Sequence, residues 1–516
     1  MEIKTINIMK QELLQKIQKF FLTLTIILLP FTNLPKKITF SSIGPNIVHY
    51  IIIVSLILFF YEYYKYKFHI NKIIFYFFIV YIISQFISLL HGLYTYPYYD
   101  LLTVKQLPKL QYLVDKFNIS ISNDILIAIW LFIRETKNII LDSVYLCVIP
   151  LIFIHLFDKN KEEVFSFVEK AVVFLVCLLG LYSIPEIIYL KFENSFAKNI
   201  LETINPFLYD VAHTHAWWPP LLWDANGGQL RSLCPEPPFF CIIAIFCIPF
   251  LFRLIYNKFS FKYIALFSYF IFMLFMSKSR TGLIIFSIEL FILFIFLIFN
   301  CNKKNLYFMA VLLFCMCFSM TLNLYCPSKT VNKGNETLKD YVYDNVISGV
   351  KLNERTNNAR LANIVMLFEI GIKKPVLGVG RGLKDAYMLY NIPDFAKNDF
   401  EVNLWQKLFK QNGLKSIFPV LNQYVYVFAE RGVVGLTIFL FPIIYIFYCA
   451  YKNRFLLNNF NFMILLIIFI GQLFAMLTEP YFITYSISLG LIFLYLNNNE
   501  KKENNSKIIL KDVRED

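Results

Sequence analysis

The chain has 516 residues, 58% of them hydrophobic, 16% charged and 56 of them Phe, with a formal net charge of +14 and a positive mean hydropathy. So apolar a chain excludes a soluble protein with one or two ordinary cores and reads as a polytopic membrane protein. The positive charge is mostly a topology signal with attraction to anionic lipid head groups, and no nucleic-acid module accompanies it.

A membrane helix needs about 20 mainly apolar residues to cross about 30 Å of hydrocarbon. About twelve runs qualify, near 20–34, 44–63, 73–92, 139–157, 171–190, 238–256, 263–277, 281–300, 305–325, 432–450, 459–477 and 481–497. Lipid offers backbone groups no partners, so these are helices. The predicted fold class is an all-α polytopic membrane protein with a large, partly helical outer loop domain. The first run follows MEIKTINIMKQELLQKIQKFF, and Pro30 with no small-residue cleavage pattern predicts an anchor that stays attached. Between 108 and 138, DILIAIWLFI is too short to span and is assigned to the membrane interface.

Basic residues in short loops give the orientation. Connections after the second, fourth, sixth, eighth and tenth runs hold Lys65, Lys67, Lys72, Lys159, Lys161, Arg253, Lys258, Lys262, Lys303, Lys304, Lys452 and Arg454. Short loops of the other parity hold only Lys36, Lys37, Lys278 and Arg280. Both termini are therefore predicted to be cytoplasmic, and the long connections 93–138, 191–237 and 326–431 lie outside. The predicted organisation is a membrane domain over 1–325, the large outer loop over 326–431, three more helices over 432–497 and a basic tail over 498–516. No internal repeat of the transporter kind is present.

Most of the ten Cys fall in or beside membrane runs, where they act as small hydrophobes. Only Cys234 and Cys326 face outside, and their spacing does not argue for a disulfide. His213 and His215 in VAHTHAWWPP suit an aromatic interfacial loop better than a metal site, and Trp217 and Trp218 offer a surface on which a sugar could stack. No metal or cofactor motif is present in the sequence.

Arginines form the informative outer constellation: Arg231 in GGQLRSLCPEPPFF, Arg280 in SKSRTGL, Arg355 and Arg360 in ERTNNARLANI, Arg381 in GVGRGL and Arg431 in AERGVVG. Guanidinium binds phosphate oxygens bidentately and keeps its charge at low dielectric. An arginine at the membrane centre costs about 2.5 to 3.5 kcal/mol, so several at one interface imply a partner such as a diphosphate. The alternative is that they pair with carboxylates or reach to the head groups. Gly378, Gly380 and Gly382 lack the strand and lysine of a phosphate-binding loop and read as a tight turn returning Arg381 to the membrane. Glu289 lies midway along its run and must face other helices or a cavity.

RSLCPEPPFF, SKSRTGLIIF, ARLANIVMLFEIGIKKPVLGVGRG and LNQYVYVFAERGVVGLTIFL, in that order around a large outer loop, resemble the O-antigen ligase and polymerase superfamily. Asn422, Glu430, Gly432 and Gly435 match its last motif. The resemblance implies a glycosyltransferase acting on polyprenyl-diphosphate-linked glycans in the bacterial cytoplasmic membrane, with its site on the periplasmic face. Ligases of the family usually carry a His where this chain has Leu421, which favours a polymerase, as does the Glu-Pro pair of PEPP. A ligase onto lipid A core is the alternative within the family, and a flippase of lipid-linked sugars the alternative outside it.

In such a reaction the enzyme must neutralise charge growing on the diphosphate and deprotonate an acceptor hydroxyl. The chain has no Asp-x-Asp pair to hold a metal for the first task, which leaves arginines: Arg280 and Arg360 for the diphosphate, with Arg231, Arg381 and Arg355 in support. Glu236 is the first candidate base, although it equally suits a helix start beside Pro237. Asp224 and Glu430 are the alternatives, Glu430 also fitting an ion pair with Arg431. Asn422, Glu430, Trp217 and Trp218 complete the expected substrate contacts, and a polysaccharide chain-length regulator is a conceivable partner.

Overall fold

The computed structural model describes residues 2–40, 43–68, 70–104, 107–158, 160–211, 221–222, 228–325, 341, 343, 355–412, 418–480 and 482–496. Regular structure there is entirely helical. In chain order the helices are α1 (Glu2–Ile27), α2 (Ile47–Tyr66), α3 (Lys72–Thr95), α4 (Pro108–Phe117), α5 (Asn123–Phe157), α6 (Lys161–Phe192), α7 (Ser195–Leu208), α8 (Pro237–Lys258) and α9 (Phe261–Met276). They continue with α10 (Arg280–Phe299), α11 (Lys303–Tyr325), α12 (Arg355–Lys373), α13 (Lys384–Tyr390), α14 (Phe400–Asn412), α15 (Gln423–Lys452), α16 (Phe460–Ala475) and α17 (Ile483–Leu496). Among the described residues, eight helices are long and apolar enough to cross a membrane, and α9, α16 and α17 are shorter apolar helices. The chain is thus an all-α polytopic membrane protein.

Burial along the helices fits a lipid surround. On α3, Tyr76, Val80, Ile83, Ile87 and Leu90 point outward at helical spacing, while Tyr81, Gln85 and Ser88 face inward. That is the reverse of a soluble helix and leaves polar groups for contacts between helices. Helix α8 is apolar on all sides and sits at the centre, its membrane window 89% buried, packed by α6, α9, α10 and α16.

The sequence assigned DILIAIWLFI to the interface, but it opens the 35-residue helix α5, about 50 Å at 1.5 Å per residue. The polar stretch after it does not end the helix because its charges have partners: Asn138 donates to Glu135 at 3.0 Å and Arg134 lies 3.4 Å from Glu135. Further on, Pro150 supplies no N–H and crowds the carbonyl four residues back, and the helix passes it through a wide π turn over Val144–Val148.

Two large apolar cores result among the described residues. The larger fills the helix bundle. The second joins Leu102, Leu110, Ile127 and Leu131 to Ala362, Met366, Trp405 and Phe418, so residues 96–131 and the helices α12 to α14 build one module. Helices α5 and α15 contribute to both cores and tie them together.

Helix α15 is broken at Gly432, where φ is 64° and ψ −165°. The segment 375–380 lies along the break. Val433 N–H donates to the Pro375 carbonyl at 2.7 Å and Val434 N–H to Val376 at 3.3 Å, while Val379 and Gly380 donate to the carbonyls of Ala429 and Glu430 at 3.0 Å. Ser88 of α3 also donates to the Glu430 carbonyl at 2.7 Å. Backbone groups released by the break are thereby satisfied, as an apolar setting demands.

A Cβ at Gly432 would stand 2.2 Å from the Val376 carbonyl oxygen and require a positive φ. Gly432→Ala is expected to lower stability by about 2 kcal/mol or more, whereas Val433→Ala, at a 52% exposed side chain, changes little. Thermal unfolding of the detergent-solubilised protein reads both, and an unchanged midpoint for Gly432→Ala would contradict the role of the break.

Candidate functional site

Three helix ends meet at one end of the bundle. The Leu230 N–H donates to the Met276 carbonyl at 3.0 Å, which lays the segment before α8 on the turn between α9 and α10. In that turn Lys278 takes a φ of 49°, Ser279 caps α10 by accepting from Gly282 N–H at 3.4 Å, and Arg280 is the first helical residue. Cys241 of α8 touches Ser277 at 3.2 Å. Ile242 and Ile245 of α8, Ile285 of α10 and Ala475 of α16 form a small apolar cluster with Phe482, whose ring meets Phe239 edge-on at 5.3 Å. Glu236, Arg280 and Glu479 stand at the ends of these packed elements.

Helix α12 reaches this end through Arg360. It packs on α15 so closely that Gly371 leaves no room for a Cβ against the Phe428 ring. Arg360 on α12 faces Glu479, with Nη2 to Oε1 at 3.7 Å. The turn bearing Glu479 is held against the start of α15, where Gln423 N–H donates to Met476 at 2.9 Å and Asn422 to the Leu477 carbonyl at 3.2 Å. Asn422 is also the N-cap of α15, accepting from Tyr424 and Val425 at 3.1 Å, so its side chain is engaged in structure.

Burial pushes the Glu479 carboxyl up to about 7, with Arg360 drawing it down and Glu236 adding to the rise. Burial likewise raises Glu236, opposed by the charges of Arg231 and Arg360. Glu236 immediately precedes α8 but makes no capping hydrogen bond, so its carboxylate is not used as the structural start of that helix. The 20-residue α10 begins at the same end of the bundle, and its dipole favours an anion at its N-terminus.

Arg231 is buried and organises the approach to α8. It donates to the Pro235 carbonyl at 3.2 Å and to Leu221 at 3.0 Å, and its guanidinium lies 4.6 Å from the Tyr209 ring centre. Glu186 of α6, which the sequence did not single out, accepts from the backbone N–H groups of Arg231 and Ser232 at 3.0 and 2.8 Å. Cys234 is buried in the same turn, while Cys326 lies outside the described residues.

Arg381 and Glu430 belong to a different cluster, at the break in α15. Arg381 pairs with Asp142 of α5, lies 3.4 Å from Glu430 and donates to the Tyr426 hydroxyl at 2.8 Å. Arg431 shares Asp142 at 3.6 Å and donates to Tyr81 at 3.0 Å. Glu430 also accepts from Gly382 N–H at 3.0 Å. The three glycines of GVGRG all take positive φ, and at Gly380 a Cβ would fall 2.6 Å from the backbone of Gly92. The loop is the tight turn that its sequence suggested, and it delivers Arg381 into an ion network.

Arg355 opens α12, but its side chain lies outside the described residues, as do Trp217, Trp218, His213, His215 and Asp224. The residue that sequence reasoning missed is Glu479. A signal was present: Glu479-Pro480 repeats the Glu236-Pro237 dipeptide, again in a connection that precedes an apolar helix.

No curated protein matches the chain significantly. Residues 265–440, about a third of the chain, match the family model described as O-Antigen ligase. That span contains Arg280, Arg360, Arg381, Asn422 and Glu430, whereas Arg231, Glu236 and Glu479 fall outside it. Residues 265–440 of the chain are thus similar to the O-Antigen ligase family, and they lie within an all-helical membrane bundle.

Proposed function

We propose that the protein is a membrane glycosyltransferase that polymerises polyprenyl-diphosphate-linked oligosaccharide repeat units into a surface polysaccharide. The observation that carries this reading is the pairing of Arg360 with the half-buried Glu479, with Glu236 acting on both, at the end of the bundle where α10 begins with Arg280. By the excess of basic residues in the opposite loops, that end faces the periplasm and both termini lie in the cytoplasm.

In this reading a lipid-linked donor lies with its diphosphate against Arg280, Arg360 and the α10 N-terminus. These groups stabilise the negative charge that grows as the glycosidic bond to phosphate breaks. A carboxylate in the same pocket takes the proton of the attacking hydroxyl. Arg231 acts by holding the turn that presents Glu236, and Arg381 by anchoring the outer module. Leu421, where a ligase of the family usually has His, supports a polymerase; the description of the matched family supports a ligase. A flippase would instead rely on ionisable groups inside the bundle, of which Glu289, buried against Gly471, is the candidate.

Surface glycans of a deletion strain complemented with Arg280→Ala or Arg360→Ala separate these readings. The polymerase reading expects long chains to disappear while single repeat units remain on core lipid. Total loss of attached glycan, with long chains accumulating on the carrier, would indicate a ligase, and unchanged glycans would refute both. Glu289→Gln is expected to leave chain length intact, and its loss of all surface glycan would favour a flippase.

A further inference from the structure

One guanidinium pairs with one carboxylate at this end of the bundle and acts electrostatically on a second. Arg360 lies 3.7 Å from Glu479, and its charge also reaches Glu236. The two acids come from different parts of the chain, on the same local design. Each precedes a proline, which keeps the preceding residue extended; Glu236 has φ −142° and ψ 153°. Each is thereby held at the mouth of an apolar helix, and among the described residues no hydrogen bond reaches the Glu236 carboxylate. Glu479 has Arg360 as its ion-pair partner, and its side chain keeps 16% exposure, so a substrate can approach it.

A site that must bind a diphosphate gains little from an arginine already neutralised by a carboxylate, unless that carboxylate changes charge during the reaction. We propose that Glu479 accepts the proton of the incoming sugar hydroxyl, and that Arg360 then exchanges its partner from Glu479 to the leaving diphosphate. The proposal rests on the glycosyltransferase reading above. The hydroxyl oxygen forms a bond to the anomeric carbon, the bond from that carbon to the diphosphate oxygen breaks, and its electron pair stays on that oxygen. The hydroxyl proton moves to Glu479. The diphosphate gains one negative charge as Glu479 loses one, so Arg360 always faces a counter-charge and the pocket's total is unchanged.

Negative charge on Glu236 raises the proton affinity of Glu479, while Arg231 and Arg360 oppose the rise that burial causes at Glu236 itself. A carboxylate carried up to about 7 is matched to a base working near neutral pH. Because the working form is deprotonated, turnover falls as pH drops through that value.

The test uses the full-length protein in liposomes, with lipid-linked oligosaccharide extracted from the deletion strain as donor and acceptor, and follows polymer formation across a pH range that brackets 7. The wild type is expected to show an acid limb. Glu479→Gln is expected to lose that limb and at least about a hundredfold in kcat, with a donor KM no higher than before, since Arg360 is then unopposed. Glu479→Asp should regain the limb and part of the rate, which separates lost chemistry from lost folding. Glu236→Gln should move the limb to lower pH and not remove it. The proposal is overturned if Glu479→Gln keeps the limb with a rate within tenfold of wild type, or if Glu236→Gln abolishes it. A wild type that joins no repeat units under these conditions would instead overturn the glycosyltransferase reading itself.

Discussion

The architecture depends on the break in α15 at Gly432. An interrupted helix in apolar surroundings leaves N–H and C=O groups without partners, each costing several kcal/mol if nothing meets them. The segment after α12 meets them by running alongside the break. That contact fastens the outer module to the bundle and fixes where α12 ends, so the Arg360 side chain is carried to the Glu479 turn. Buried charge reinforces the joint: Arg381 and Arg431 share Asp142, and Glu430 accepts from both the Arg381 guanidinium and the Gly382 backbone. Pairs of this kind add little net stability over apolar packing, yet losing one partner costs about 3 to 5 kcal/mol. Their effect is to make one docking of the loop far better than its alternatives.

The two clusters therefore divide the arginines by task. At the break, Arg381 and Arg431 are enclosed by acids and tyrosines and hold backbone in place. At the bundle end, Arg360 is only partly buried, with 37% of its side chain exposed, and its acid partner lies near a proton affinity at which it can change charge. Arg280 is the first residue of α10. A guanidinium that is accessible and opposed by a titratable group can take a new anion, whereas one locked between Asp142 and Glu430 has no such freedom.

Much of the membrane architecture was legible in the sequence, because apolar runs of spanning length leave few other choices. Helix α5 was not, since RETKN looks like an end until Glu135 is seen bonded to Asn138 and set against the GVGRG turn. The second core was also hidden: Leu131 and Met366 lie far apart in the chain, and no local pattern joins them. In the site, Arg280 stood out because charge is costly at a membrane boundary, and it does open a helix. Arg381 stood out for the same reason, but its partner Asp142 lay at the edge of an apolar run and gave no sign of the pairing. Glu479 escaped notice because a single acid in a short loop is ordinary until the repeated Glu-Pro dipeptide and the reach of Arg360 bring it beside Glu236.

The most direct test of the central claim is an electron cryo-microscopy structure of the full chain bound to polyprenyl diphosphate. The account predicts density for the diphosphate between Arg280 and Arg360 at the start of α10, within hydrogen-bonding distance of Arg360 and beside Glu236 and Glu479. Diphosphate density at the Arg381–Asp142 cluster, or within the bundle near Glu289, would contradict it.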